Sequence, residues 1–208
     1  YWNILPDQGH YYNPKFIRMG QDTVYSGYVT DVITDLSLAW IEQNKDQPFC
    51  LMLQHKAPHR NWMPPLKYLD TFDDRKYEVP ENFYDDYEGR KALQRSLTTV
   101  QKGHLDVRYD SKIPCDTCAV TEVNSWAPGE WQREIERLTP EEKRAWDKGY
   151  QDEYEAFAQL GSRDEFIEWQ FQRYMEDYLA CVKSVDDNVG RVLDYLEGQV
   201  PADGFLFG

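Results

Sequence analysis

Hydrophobic residues recur every three to four positions in two long stretches of the chain, and this spacing predicts two amphipathic helices. The first covers residues 28–43. The second opens on a Ser-Arg-Asp-Glu capping box and covers residues 162–196. Two further helices are predicted, one over residues 85–100 and one that begins at residue 139, where threonine precedes proline and two glutamates.

One short run, residues 49–54, is almost continuously apolar and is bounded by turn-forming residues. A run of this kind is typical of a strand buried on both faces, as in a parallel sheet covered by helices. With the flanking helices it predicts an α/β layer fold. A single strand cannot make a sheet, so the other strands are expected outside this chain. Residues 1–20, rich in aromatic residues, proline and glycine, are predicted to form an irregular loop.

The charge of the chain narrows the classes of partner. It carries 37 acidic and 23 basic residues, which give a formal net charge of −14. Such a field repels nucleic-acid phosphates and anionic lipid surfaces, so neither nucleic acid nor membrane is expected as a partner. No apolar run approaches the ~18–20 residues needed to cross a bilayer. An anionic ligand would need a local group of cationic side chains or a metal to attract it.

Two of the four cysteines, Cys115 and Cys118, form a Cys-x-x-Cys motif, whereas Cys50 and Cys181 stand alone. The motif is compatible with structural thiols, with a disulfide, or with half of a metal or redox site. A tetrahedral zinc site needs two more ligands, and the sequence has no second Cys-x-x-Cys and no His-x-x-x-His. The role of this pair therefore stays open at the level of sequence.

The loop over residues 55–65 holds the densest group of chemically useful side chains. It presents His55, Lys56, His59, Arg60 and Trp62, and its prolines stiffen the backbone. In open α/β sheets, ligands bind beyond the carboxyl ends of the strands, which is where this loop is predicted to lie. Two imidazoles and two cations could hold an anion and protonate a leaving group. The plainer alternative is a solvated basic loop.

Four segments resemble segments of type I sulfatases of the alkaline-phosphatase-like superfamily, and they follow one another along the chain in the family's order and spacing. Residues 49–60 (Phe-Cys-Leu-Met-Leu-Gln-His-Lys-Ala-Pro-His-Arg) resemble the strand and Ala-Pro-His loop of these enzymes. Residues 184–197 resemble the helix that precedes their second metal-binding strand, and residues 9–14 and 28–35 resemble the approach to the Ala-Pro-His strand. The resemblance covers roughly residues 1–197. The Lys-Ala-Pro-His-Arg-Asn-Trp variant is most similar to bacterial N-acetylglucosamine-6-sulfatases.

The resemblance implies an α/β, alkaline-phosphatase-like fold with a central parallel-type sheet flanked by helices, incomplete in this chain. It also implies a calcium ion and a formylglycine nucleophile made from Cys or Ser in a C/S-x-P-x-R motif. His59 matches the family's histidine that hydrogen-bonds the sulfate and assists the leaving oxygen. Arg60 and Trp62 match positions of plausible sugar contacts. A periplasmic or secreted location is expected from the family.

The sequence departs from the family pattern at both ends. No cysteine or serine is followed by x-Pro-x-Arg, and residues 198–208 do not contain the expected Asp-x-Gly metal ligands. Residues 1–208 are therefore expected to be the central part of one sulfatase catalytic domain. The nucleophile region and the C-terminal metal-ligand region are expected outside it, and no metal ligand is assigned within it. The chain alone is expected to be inactive.

Three functions follow as hypotheses. The first is a fragment of a sulfuric ester hydrolase that removes sulfate from a sulfated carbohydrate, such as 6-O-sulfated N-acetylglucosamine of mucin or glycosaminoglycan. The second is a carbohydrate-binding or degenerate, non-catalytic sulfatase-like protein, in which exposed aromatic rings stack on sugars. The third, within the same superfamily, is a phosphatase or phosphodiesterase, although the loop lacks the metal-ligand spacing of dizinc enzymes.

Overall fold

A computed structural model describes residues 1–96, 99–100, 102–115 and 127–199. The chain divides into two compact units. The first consists of residues 1–59 and the segment from Cys181 onward, and the second of residues 60–180. In chain order the elements are β1 (Asn3–Ile4), β2 (Lys15–Arg18), β3 (Gln21–Val24), α1 (Val29–Asn44), a 3₁₀ turn (Leu66–Tyr68), α2 (Lys91–Gln94), α3 (Ala127–Ile135), α4 (Pro140–Gly149), α5 (Gln151–Ala158) and α6 (Arg163–Gln199).

The first unit opens with a three-stranded antiparallel sheet in the order β1-β2-β3. Strands β2 and β3 are joined by Met19 and Gly20, whose φ angles of 49° and 86° are both positive. Two consecutive residues with positive φ make the type I′ turn that suits a tight hairpin. The prediction of an irregular loop over residues 1–20 was therefore wrong for residues 3–4 and 15–20, which form β1, β2 and the turn. Strands of two to four residues are too short for alternation to be recognised in a sequence.

Helix α1 confirms the helix predicted over residues 28–43. Its apolar residues Val29, Val32, Ile33 and Ile41 are buried, whereas Leu36 and Trp40 are half-buried and Ala39 is exposed. The part of α6 from Cys181 onward packs along α1, with both helices pointing the same way. Polar side chains join them at successive turns: Ser184 to Thr30, Asn188 to Asp31, Arg191 to Asp35 and Tyr195 to Glu42. Buried residues on the two helices, among them Val29 and Ile41 of α1 and Cys181 of α6, belong to the interior of the first unit.

The strand predicted over residues 49–54 is not formed. These residues belong to no strand, and their side chains are exposed or half-buried, with Met52 77% exposed. The α/β class and the incompleteness of the fold are confirmed, but the sheet that forms is antiparallel and comes from residues 3–24. The physical reason is a lack of neighbours. Within the described ranges no other strand offers backbone hydrogen bonds to this apolar run, and a strand requires them.

The second unit is built mainly of helices. Its apolar core joins Val107 and Ile113 to Phe166 and Ile167 of α6. The helix start predicted at Thr139 and the capping box predicted at Ser162 are both present. Thr139 and Glu142 exchange hydrogen bonds at the start of α4, which makes a capping box there too, and Ser162 and Glu165 do so at the start of α6. These reciprocal bonds satisfy the amides that a helix start leaves without partners. Both helix starts are thus confirmed.

The helix predicted over residues 85–100 is reduced to the single turn of α2. Asp85 and Asp86 accept hydrogen bonds from the backbone amides two residues further on, which makes local turns that compete with helix. Tyr87 and Gly89 have positive φ, which a right-handed helix does not allow. Residues 97 and 98, at the end of this prediction, lie outside the described residues.

A largely buried ionic cluster in the second unit is centred on the α6 residue Arg173. The Arg173 guanidinium pairs with Asp177 at 2.8 Å and with Glu176 at 3.1 Å, and it lies 3.6 Å from Glu153 and 3.7 Å from Asp73. Burial raises the pKa of the Glu176 carboxyl to about 8, against the attraction of Arg173. Burial prevails because one guanidinium is shared among four carboxylates.

We expect Glu176 to make the unfolding free energy fall with rising pH. Between the ordinary pKa of 4.5 and about 8, the folded chain keeps a proton on Glu176 that the unfolded chain loses. The unfolding free energy therefore decreases across this window. Above about pH 8 the stability that came from the protonated Glu176 is fully lost. Denaturant titrations of Glu176→Gln should show a variant that gains stability relative to the wild type as the pH rises through the window. A difference that does not vary with pH would contradict this assignment.

Candidate active site

The histidine of the Ala-Pro-His sequence is exposed and lines a cavity in the first unit. The cavity encloses about 720 Å³ and is lined by His59, His55 and Lys56 together with residues of the N-terminal segment, of α1 and of the 49–54 run. A cavity of this volume is within the usual range for small-molecule sites. The imidazole of His59 is thus accessible to a ligand, and its catalytic role stays a prediction.

The backbone of His59 is held by a buried tyrosine. The Tyr11 hydroxyl donates to the His59 carbonyl oxygen at 2.5 Å, and the His59 amide closes a turn by donating to the Lys56 carbonyl at 3.0 Å. Tyr11 is fully buried, and the ammonium of Lys56 lies 4.4 Å from the centre of its ring. Sequence reasoning missed Tyr11, which lies 48 residues away in a segment read as loop.

His55 is half-buried, and neither of its ring nitrogens has a hydrogen-bond partner among the described residues. Burial lowers the pKa of its imidazole, with the Asp31 carboxylate acting in the opposite direction. The packed position agrees with a structural role for His55. The hydrogen bonds expected of a packed histidine are not found in this part of the molecule.

Arg60 lies in the second unit and is committed to an ion pair. Its Nε donates to Asp110 Oδ1 at 2.6 Å, and a terminal nitrogen donates to Asp110 Oδ2. The Arg60 side chain is 23% exposed and that of Asp110 is 1% exposed. Two parallel bonds of this kind fix the plane of a guanidinium. The ion pair therefore restricts the conformation of the Arg60 side chain. Its role as a sugar contact stays a prediction.

The next residue, Asn61, is fully buried and is anchored by a buried lysine. Lys112 Nζ donates to the Asn61 carbonyl at 2.6 Å and to the Asp110 carbonyl at 2.5 Å. It also lies 2.9 Å from Asp177 Oδ2, an ion pair whose geometry is not that of a hydrogen bond. Lys112 and Asp177 were missed because a lone lysine and a mid-helix aspartate resemble surface residues in a sequence.

Trp62, the third predicted site residue, has a φ of 53° and is partly buried. Its ring packs edge-to-face on Tyr174 of α6, with 4.8 Å between centroids and 77° between planes. An indole held in this way can present its remaining surface to a sugar ring without losing conformational freedom on binding. Nothing in the contacts of Trp62 tests that role, which stays a prediction.

The other candidates of the sequence have structural surroundings. Cys115 is disulfide-bonded, which favours the disulfide alternative over a metal site, and Cys118 lies outside the described residues. His104 shares a hydrogen bond with the Thr99 hydroxyl. Across residues 1–96, 99–100, 102–115 and 127–199, no group of three or more His, Cys, Asp or Glu is placed to hold a metal ion. No helix there is long and apolar enough to cross a membrane.

Comparison with known proteins agrees with the motifs. The profile of the sulfatase family matches residues 4–207. The chain is similar to the N-acetylglucosamine-6-O-sulfatase of Bacteroides thetaiotaomicron, with 36% identity over 202 residues that make up 95% of this chain and 36% of that protein. It is also similar to a solved structure of BT4656 in complex with its substrate D-glucosamine-2-N,6-O-disulfate, with a TM-score of 0.82 and 34% identity.

That match covers 98% of this chain and 41% of the solved one. The chain therefore spans well under half the length of the relatives it matches. The family profile matches almost all of the sequence, so it establishes the family of this chain. The chain belongs to the sulfatase family.

Proposed function

We propose that the protein containing this chain is a sulfuric ester hydrolase that removes a 6-O-sulfate from glucosamine or N-acetylglucosamine units of a sulfated carbohydrate. The observation that carries the proposal is the 36% identity to an N-acetylglucosamine-6-O-sulfatase over 95% of this chain. A second support is the presence of D-glucosamine-2-N,6-O-disulfate as substrate in the similar solved structure. The 6-sulfated amino sugar is common to both relatives.

Within this reaction, His59 is the catalytic residue that the chain supplies. Its imidazole is exposed at the wall of the cavity, on a loop whose backbone is fixed by Tyr11. A positioned imidazole can hydrogen-bond the sulfate and give a proton to the sugar oxygen as the sulfur–oxygen bond breaks. Proton transfer to that oxygen matters because an unassisted alkoxide is a poor leaving group.

Arg60 and Trp62 are proposed to contact the substrate. The ion pair with Asp110 fixes the Arg60 side chain, and the packing on Tyr174 fixes the Trp62 ring. Fixed groups bind a sugar with a smaller loss of side-chain entropy than mobile ones do. Lys56, which lines the cavity together with His59, also provides local attraction for an anion in a chain whose net charge is −14.

Members of the sulfatase family generally use a metal ion, and calcium is proposed for the full-length protein. The residues of this chain do not fit that ion on their own, since the described ranges contain no suitable ligand group. No step is therefore assigned to a metal here. The nucleophile is likewise proposed to come from a Cys-x-Pro-x-Arg or Ser-x-Pro-x-Arg segment beyond these residues. A periplasmic or extracellular location is proposed from the family.

The test is an assay of the full-length protein with 6-O-sulfated N-acetylglucosamine and with D-glucosamine-2-N,6-O-disulfate, measuring released sulfate. The expected result is turnover of at least one of them and no turnover by residues 1–208 alone. Binding without turnover would favour the carbohydrate-binding alternative. Hydrolysis of phosphate esters in preference to sulfate esters would favour a phosphatase or phosphodiesterase.

A further inference from the structure

We propose that Tyr11 is a positioning residue for catalysis, whose hydroxyl sets the orientation of His59 by holding the carbonyl oxygen of that residue. The inference deepens the proposed function and rests on it. Tyr11 is not among the residues that line the cavity, and its action on the site passes through the His59 backbone.

The Tyr11 hydroxyl contacts the backbone of His59 directly. The phenol oxygen of Tyr11 lies 2.5 Å from the His59 carbonyl oxygen, across 48 residues of sequence. The side chain of His59 leaves the same residue toward the cavity. A carbonyl fixed in space fixes the adjoining Cα and therefore the direction of the Cα–Cβ bond. The Tyr11 hydroxyl thus restricts the positions that the His59 imidazole can adopt.

Contacts other than the hydroxyl bond hold the Tyr11 side chain in place. The ring is fully buried and stacks on Tyr28, with 5.8 Å between centroids. The Tyr11 backbone carbonyl accepts from the amide of Val29, the first residue of α1, at 2.8 Å. Since α1 is a four-turn helix of the core, Tyr11 joins the loop of His59 to a rigid element. Loss of the hydroxyl alone should leave this packing in place.

Within the loop, residues 56–59 form a short turn. The His59 amide donates to the Lys56 carbonyl, and Lys56 in turn lies over the Tyr11 ring. The described backbone bonds of residues 55–59 do not include a strand or helix ladder. A loop without a ladder depends on side-chain bonds for its geometry. A displacement of about 1 Å at a catalytic group can cost up to ~10²-fold in rate.

The variant that isolates the hydroxyl is Tyr11→Phe in the full-length protein. The expected result is a kcat about 10-fold lower with KM nearly unchanged, because only the proton donor is displaced. The matched control is Tyr28→Phe, which removes a hydroxyl from the ring stacked on Tyr11, one whose oxygen lies 3.8 Å from Cys181 Sγ. The control should keep the wild-type kcat. An unchanged kcat in Tyr11→Phe would overturn the inference.

A double variant separates positioning from general loss of structure. If Tyr11 acts through His59, Tyr11→Phe should have no further effect on kcat once His59 is alanine. A defect of similar size in both backgrounds would mean that Tyr11 acts on the whole fold, and would overturn the inference. The defect of Tyr11→Phe should also shrink with an aryl sulfate, whose acidic leaving group needs little proton donation.

Hydrogen exchange provides a test that does not require turnover. Exchange of the His59 amide should be about 10-fold faster in Tyr11→Phe than in the wild type, while the amides within α1 keep their protection, since one net hydrogen bond is worth roughly this factor. Equal exchange at His59 in the two proteins would overturn the positioning contact. An inactive wild type would instead overturn the proposed function, so the two failures can be told apart.

Discussion

Replacing His59 by alanine in the full-length enzyme is expected to lower kcat for a 6-O-sulfated amino sugar by ~10²–10⁴-fold, the usual effect of removing a positioned acid–base group. The side chain is exposed at the cavity wall, so alanine leaves the packing of the first unit unchanged and the loss is chemical. The loss should be smaller for an aryl sulfate, because its leaving group departs without a proton. Steady-state kinetics with both substrates measure this difference.

Three other histidines provide the controls for this experiment. His10→Ala and His104→Ala should leave kcat nearly unchanged. His55→Ala should act mainly through stability, because the ring is half-buried and burial lowers the pKa of its imidazole. A His59→Ala enzyme with the wild-type kcat for the amino sugar would contradict the assignment of the catalytic residue. A loss of equal size in His104→Ala would point to folding instead of chemistry.

The helices were predictable because their signals are local. Periodicity located α1 and α6. The capping box of Ser162 and Glu165 located the start of α6, and threonine followed by proline and two glutamates located the start of α4, because both signals lie within four consecutive residues. The helix predicted over residues 85–100 failed for an equally local reason. Two aspartates there bond their own backbone and favour turns.

Strands are less predictable because their partners lie elsewhere in the chain. The apolar run over residues 49–54 has the composition of a buried strand. Its side chains are nevertheless exposed or half-buried, and no neighbouring strand is found among the described residues. The small sheet of residues 3–24 formed instead, from strands too short to show alternation. Hydrophobicity indicates that a segment is suited to a sheet, whereas only the presence of neighbours makes it a strand.

The loop that carries His59 could be recognised from the sequence, but the contacts that support it could not. His59 was recognisable from the Ala-Pro-His sequence and its spacing to the other motifs, and the match to the sulfatase family confirms that resemblance. Tyr11 and Lys112 act on the same loop through backbone carbonyls, which can be reached by any donor from any distance along the chain. Contacts of this kind leave no pattern in the composition of either partner.

Replacing Lys112 by methionine is expected to lower the free energy of unfolding by about 3–5 kcal/mol, the usual cost of removing one member of a buried ion pair. Lys112 and Asp177 are both fully buried, so the lost ammonium leaves a carboxylate with less compensation. It also leaves the carbonyls of Asn61 and Asp110 without their donor. Denaturant unfolding of the full-length protein measures the change through the midpoint at constant m.

Two further variants decide whether the buried charge is the cause. Lys143→Met removes a lysine whose pair with Asp147 is well exposed, and it should change stability by at most about 0.5 kcal/mol. In the double variant Lys112→Met with Asp177→Asn, the isolated carboxylate is gone, so part of the loss should return even though Tyr150 and Arg173 lose a charged acceptor. Equal losses in Lys112→Met and Lys143→Met would contradict the argument, because burial is the property in which the two lysines differ most.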